Sequence, residues 1–499
     1  MEGRTEHRDR ARGAEGRHPA TDRLVAAHPP VRAREVGTPW EAEITPDQEP
    51  TLPIRLPLDR EIAALAVPAL GALVAEPLFL ATDTALVGHL GPARLAALGI
   101  AGTILQTAIG LLIFLAYATT PTVARRLGAG DRPGAVRAGI DGMWLAAGIG
   151  VVLAAAGWVA SPALAGLFDA SAPTTVAAVT YLRIALLGLP SMLVVVAATG
   201  LFRGMQDTRT PLAIAVVGFA ANAGLNAVLI YGVGWGIAGS ATGTVVAQTG
   251  MAAACVVIAI RTARREGTTL RPGLAGVSSS ALTGGWLLVR TLSLRVALVA
   301  TIAVASADGT TTLAAQQVLF TLFSTMALTL DAFAIAGQAL IGHGLGAADV
   351  PRVRAVLRRL LGWGAVTAIA LGVGLGAVSP VIGAVFTSDP DVRAAIVPGV
   401  IVLAAAQPLA AVVFVLDGVL IGAGDVRYLA WTGVLNLAVF APLLALAALV
   451  PAGAPAILAI QLAFCVGYLA ARCVTLSLRA RGTRWIVTGV PTAGRGAPA

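Results

Sequence analysis

Of the 499 residues, 57% are hydrophobic and only 12% charged, and the mean hydropathy is +0.82. Soluble domains carry about a quarter charged residues, so these values exclude an ordinary soluble domain and place the chain among polytopic membrane proteins. The net charge of +9 comes from arginines scattered among short loops, without a basic stripe interleaved with aromatics, so no nucleic-acid partner is expected.

Residues 1–56 are rich in Arg, Glu, Asp and Pro and have no apolar core of the kind a signal peptide needs. They are expected to form a disordered cytoplasmic tail. From there, apolar stretches of about 20 residues or more recur between short polar loops. The first six are read at 60–86, 95–122, 138–160, 176–202, 212–232 and 237–261. A second six follow at 282–306, 312–342, 360–384, 393–421, 428–450 and 455–478. Loops after even-numbered spans hold most of the arginines, among them Arg125, Arg126, Arg203, Arg264, Arg352 and Arg354. The positive-inside rule therefore predicts a multi-pass protein of the cell (inner or plasma) membrane with both termini cytoplasmic. Cys255, Cys465 and Cys473 all fall in apolar segments without metal-ligand spacing, and no disulfide is expected.

The chain repeats itself at a shift of 218 residues. LGAGDRP at 127–133 meets LGAADVP at 345–351, Ser161-Pro162 meets Ser379-Pro380, and Gly204 and Asp207 meet Gly422 and Asp425. Six spans per half make both halves enter the membrane in the same direction, giving two parallel six-helix repeats, an arrangement typical of transporters. The expected fold is an all-α polytopic membrane protein of twelve transmembrane helices. Its parts are a tail (1–56), a first lobe (57–270), a second lobe (271–485) and a C-terminal cytoplasmic tail (486–499).

Features the scaffold needs should recur at the 218-residue shift, whereas those of a single working site need not. Glu76 and Asp83 of the first span meet Leu294 and Thr301. Asn222 and Asn226, one turn apart in the fifth span, meet Phe440 and Leu444, and Asp331 of the eighth meets Ile113. An ionisable residue in a span costs at least ~2.5 kcal/mol on insertion scales and should face a cavity or a partner. These five are the candidate cation-coupling and substrate residues. Structural readings stand beside this one. Glu76 could be held by a hydroxyl, Asp83 could mark a helix end, the asparagines could join helices, and Asp331 could pair with Arg290 or Arg295. Pro77 removes a backbone bond to Leu73 and lets the first span kink.

The stretch PALGALVAEPLFLATDTALVGHLGPARLAALG beginning at Pro68 resembles the first span and following loop of multidrug and toxic compound extrusion (MATE) transporters, closest to their DinF-like branch. RGMQDTRTPL at 203–212 with NAGLN at 222–226 resembles the family's junction between spans four and five. LAAQQ at 313–317, DAFAIAGQALIGHGLGAAD at 331–349 and LDGVLIGAGD at 416–425 fit the same branch, so the resemblance covers about 57–480. It implies a two-lobed bundle around a central cavity that opens alternately to each side, exporting organic molecules against inward H⁺ or Na⁺. Asp83 matches the family's first-span carboxylate, Pro68 the proline at which that helix bends, and Asn222 the fifth-span asparagine. Asn226 stands where many relatives carry Asp, which favours H⁺ over Na⁺.

The expected activity is antiport of cationic amphipathic compounds by a protein that is not an enzyme, acts as a monomer, and needs a lipid bilayer but no cofactor beyond the coupling ion. Export of organic anions, or flipping of a lipid-linked substrate, is the alternative if Arg183, Arg290 and Arg295 face the cavity. No HExxH, GxSxG or Walker A motif points to an enzyme.

Overall fold

The computed structural model describes residues 57–490, and among these every regular element is helical. The expected N-terminal tail therefore lies outside the described residues. Ten helices are long and apolar enough to cross a membrane, and two bent helix pairs bring the number to twelve. Spans 1 to 6 are Leu58–Gly88, Pro92–Gly128, Arg132–Gly166, the pair Ala172–Leu186 and Leu189–Gly204, Arg209–Gly232, and Gly236–Arg265. Spans 7 to 12 are Leu274–Ala307, Thr310–Gly346, Val350–Phe386, the pair Pro390–Ala405 and Gln407–Gly422, Val426–Ala447, and Ala454–Arg481. Each apolar stretch read from the sequence lies on one of these to within a few residues.

The repeat is visible in local chemistry. Pro190 and Pro408, 218 residues apart, interrupt spans 4 and 10, which bend by 50° and 52°. Neither proline can donate to the carbonyl four residues earlier, so the helix breaks at the same place in both halves. Asp131 and Asp349 likewise cap the helices that follow them, accepting from Gly134 N at 2.8 Å and Arg352 N at 3.0 Å.

The two halves meet along spans 2 and 8, in the portion nearer the face that carries both ends of the described chain. There the backbones nearly touch. A Cβ on Gly128 would collide with the carbonyl of His343, and one on Gly346 with the carbonyl of Arg125. These are equivalent contacts, since the 218-residue shift carries Gly128 onto Gly346 and Arg125 onto His343. Ala124 and its own counterpart Gly342 face each other, at 2.9 Å for a Cβ built on Gly342. The seam thus runs along the pseudo-two-fold axis between the halves, and glycine is required because any side chain would strike backbone.

Polar groups fasten the same face. Arg352 reaches Glu61 at 2.7 Å, and Arg359 and Trp363 both reach Asp59, joining span 9 to span 1. The buried Arg125 donates to Ala423 O at 2.6 Å, at the carbonyl end of span 10. Residues 486–490, the start of the expected C-terminal tail, lie against this seam. Trp485 is buried, Gly489 N donates to Leu345 O at 2.8 Å, and Gly489 O accepts from Arg125 at 3.5 Å.

Candidate functional site: a polar cavity in the first half

Span 1 runs as one helix through both Pro68 and Pro77. Pro68 leaves the carbonyl of Ala64 without its helical donor, and the hydroxyl of Thr208 supplies one at 3.3 Å. Thr208 belongs to the junction between spans 4 and 5, where Asp207 caps span 5 by accepting from the backbone of Arg209 and Thr210, each at 3.0 Å. The junction therefore anchors both the weak point of span 1 and the start of the helix that carries the two asparagines.

Near its end, five residues before Gly88, span 1 presents Asp83 to spans 4, 5 and 6. Its Oδ1 accepts from Asn226 Nδ2 and from Ser240 Oγ, each at 2.8 Å, and its Oδ2 from the Tyr181 hydroxyl at 3.4 Å. Asn226 Nδ2 also donates to Asn222 Oδ1 at 3.1 Å, and Asn222 Nδ2 to Thr244 Oγ1 at 3.0 Å. Asp83 and both asparagines are buried, and the six groups form one hydrogen-bonded cluster built on four spans. The Oδ1 of Asn226 is buried and has no hydrogen-bond partner among the described residues.

Beside the cluster lies a cavity of about 570 Å³, large enough for a drug-sized molecule. Asp83, Asn222, Tyr181 and Thr244 open onto it, and so does Glu76, two turns earlier on span 1. Phe79 and Phe219, stacked at 4.9 Å, and the flexible Met192 and Met251 add an apolar, adaptable wall. The ionisable groups in the lining are two carboxyls, Glu76 and Asp83, and one guanidinium, Arg295.

The other sequence-predicted residues fall elsewhere. Asp331 does not line this cavity; its Oδ2 accepts from the Tyr117 hydroxyl of span 2 at 3.4 Å, across the seam. Nor does it form an ion pair with Arg290 or Arg295. Arg290 is held in two-point contact by Asp417, which also accepts from Arg472 at 2.7 Å. Arg183 is likewise turned away from the cavity, donating to Ser161 at 3.1 Å with its guanidinium over the Trp158 ring.

Sequence reasoning passed over Ser240, Thr244 and Tyr181, and also Asp417 and Arg472, while Arg290 was considered only with other partners. A signal for them was present in the repeat, because Ser240 and Thr244 meet Leu458 and Leu462, and Asp417 meets Thr199. The three cysteines are free, and among the described residues no group of His, Cys, Asp and Glu side chains is placed to hold a metal ion.

The MatE family profile matches this chain twice, over residues 68–228 and 287–446. The two matches begin 219 residues apart and end 218 apart, which is the offset of the internal repeat. Protein DETOXIFICATION 44, chloroplastic, of Arabidopsis thaliana is 32% identical over 369 residues, covering 70% of this chain and 69% of its own. DNA damage-inducible protein F of Escherichia coli K12 is 28% identical over 305 residues, 58% of this chain and 64% of its own. Among solved structures, the Vibrio cholerae MATE transporter VcmN in its bent form superposes with a TM-score of 0.78 at 18% identity, over 86% of this chain and 98% of that one. A MOP superfamily transporter from Pyrococcus furiosus, described as having a binding pocket of reverse polarity, gives 0.76 at 19% identity over 86% and 96%. The structural likenesses establish the fold; the profile and the sequence relatives establish that the chain belongs to the MatE family of multidrug and toxic compound extrusion transporters, as a multi-pass membrane protein.

Proposed function

We propose that the protein exports organic compounds bearing a positive charge in exchange for protons, by alternating access between lobes 57–270 and 271–485. The observation that carries this reading is the convergence of Asp83, Asn222 and Asn226 beside a cavity whose lining holds two carboxyls against one guanidinium. Ionised, Asp83 is held by three donors and adds negative potential to the cavity, which attracts a cation. Protonated, it becomes a donor itself, and the cation loses its counter-charge. The unpartnered Oδ1 of Asn226 then supplies an acceptor once its amide turns over, so both protonation states of Asp83 are satisfied by the same neighbour. A carboxylate at Asn226 would lack the donor that the ionised state requires. This favours H⁺ over Na⁺.

Proton and cation thus compete for one acid, and each must bind one lobe arrangement better than the other to move the equilibrium. Span 1 transmits the difference through Pro68 and Pro77. With the arginine-rich loops cytoplasmic, as the positive-inside rule has it, the seam of spans 2 and 8 closes the cytoplasmic side and the cavity lies in the outer half.

The test is export of a fluorescent cation from proteoliposomes under an imposed pH gradient. Asp83→Asn should reduce pH-driven export by on the order of 100-fold, the scale of losing a positioned proton carrier. Undiminished export by that variant at normal protein level removes Asp83 from the coupling, and export driven as well by a sodium gradient replaces H⁺ with Na⁺.

A further inference from the structure

The cavity is built by spans 1, 2, 4, 5 and 6 of the first half, with one contribution from the second, Arg295 of span 7. Other arginines of the spans are engaged: Arg290 and Arg472 by Asp417, Arg479 by Asp425, and Arg183 by Ser161. Arg295 has neither a hydrogen bond nor an ion pair among the described residues. It is seated all the same. Its guanidinium lies against Gly110 of span 2, where a Cβ would come within 2.5 Å of Nη2. Neither member of this pair is scaffold, since the 218-residue shift turns Arg295 into Pro77 and Gly110 into Leu328. An unpaired guanidinium inside a membrane protein is costly and is expected to face a cavity or a partner. Here a glycine makes room for it, and the cavity also holds Glu76, an acid with no hydrogen bond or ion pair among the described residues.

We infer that Arg295 recognises an acidic group on the transported molecule, and that the cargo is amphoteric, with a basic group directed to Glu76 and Asp83 and a carboxylate or similar anion directed to Arg295. This deepens the function proposed above and rests on the same cavity. A guanidinium offers a carboxylate two parallel donors, a match that neither an ester nor an amide reproduces. The placement also gives the acidic group a mechanical role. The basic end is held by the first half and the acidic end by a side chain of the second, so one molecule with both charges ties the lobes together. A simple cation engages the first half alone.

The experiment compares two forms of one probe, a cationic xanthylium dye with a free carboxyl and the same dye as its ethyl ester, bound to purified protein and exported from proteoliposomes. The wild type should bind the free acid about tenfold more tightly than the ester, the discrimination expected when a site built to hydrogen-bond a group meets an analogue lacking it. Arg295→Gln should bring that ratio to near one, and Arg295→Lys should restore part of it. Gly110→Ala, which leaves every charge in place and pushes the guanidinium from its seat, should lower the ratio as well. A wild type without preference for the acid, or an Arg295→Gln variant that keeps the full preference, overturns the inference. The coupling reading is judged separately on the ester. Its pH-driven export by the wild type and loss in Asp83→Asn can hold while the acid preference fails, and the acid preference can hold while pH coupling fails.

Discussion

The two halves share a backbone plan and differ in what they do with polarity. In the first, Asp83, Asn222, Asn226, Ser240 and Thr244 surround one end of a cavity of about 570 Å³. Their counterparts in the second are Thr301, Phe440, Leu444, Leu458 and Leu462. Phe440 packs edge-on against Phe464 and Tyr468, and the pocket beside Thr301 shrinks to about 10 Å³, the space of a single water at most. Thr301 itself is turned back onto the Ala297 carbonyl of its own helix, at 2.8 Å. The second half keeps buried charges elsewhere and pairs them, with Asp417 between Arg290 and Arg472. Duplication therefore supplied two equal frames, one filled as a rigid core and the other left hollow around a hydrogen-bonded acid.

The comparison can be broken most severely at its two acids. Asp417→Asn leaves two buried guanidinium groups without their counter-ion and should cost about 3–5 kcal/mol, read as a fall in the thermal unfolding temperature in detergent. Asp83→Asn should change stability by less than about 1 kcal/mol while removing proton coupling, because an amide keeps an acceptor for Ser240 and Asn226. Equal losses of stability in the two variants would erase the distinction between a structural and a working acid.

A smaller effect tests the symmetry of the seam. Gly128→Val and Gly346→Val each drive a side chain into the facing backbone, and each should cost about 1–3 kcal/mol. Because both act on one interface, the double variant should lose clearly less than the sum. Strict additivity in the same unfolding measurement would mean that the two glycines do not share a contact surface.

The smallest concerns Thr208, whose hydroxyl serves the carbonyl that Pro68 leaves open. In the second half these positions are Val426 and Trp286, with neither the proline nor the hydroxyl. Thr208→Val should cost about 1 kcal/mol and restore the symmetric pattern. If Pro68→Ala is introduced first, the helix supplies its own donor and the threonine substitution should become nearly neutral in a double-mutant cycle.

Much of this was legible in the sequence. Hydropathy gave twelve spans because a bilayer demands long apolar helices, and a constant offset gave the two halves because duplication preserves turn chemistry such as that of Asp131 and Asp349. Glu76, Asp83, Asn222 and Asn226 stood out because each lacks a carboxyl or amide counterpart, and all four lie at or beside the cavity. What stayed hidden was set by side-chain direction and by pairing across sequence distance. A hydroxyl in a helix commonly bonds its own backbone, as Thr301 does, so nothing local marked Ser240 as a partner of Asp83 or Thr244 as a partner of Asn222. The choice of Arg290 between Asp331 and Asp417 depends on how spans 7, 8 and 10 are rotated, and hydropathy is blind to rotation. Arg290 and Arg295 lie five residues apart and read alike in the sequence, yet one is neutralised in the core and the other faces the cavity.

The seam between spans 2 and 8 carries one more consequence. Ala124 and Gly342 lie across the axis from each other, with the two glycine-to-backbone contacts arranged symmetrically about them. Rocking the halves apart strains every one of these backbone contacts together, and the side-chain links across the same seam, Arg125 to Ala423 and Tyr117 to Asp331, give way with them. Under the exchange proposed above, a seam that parts as one unit would keep the driving gradient from leaking through it.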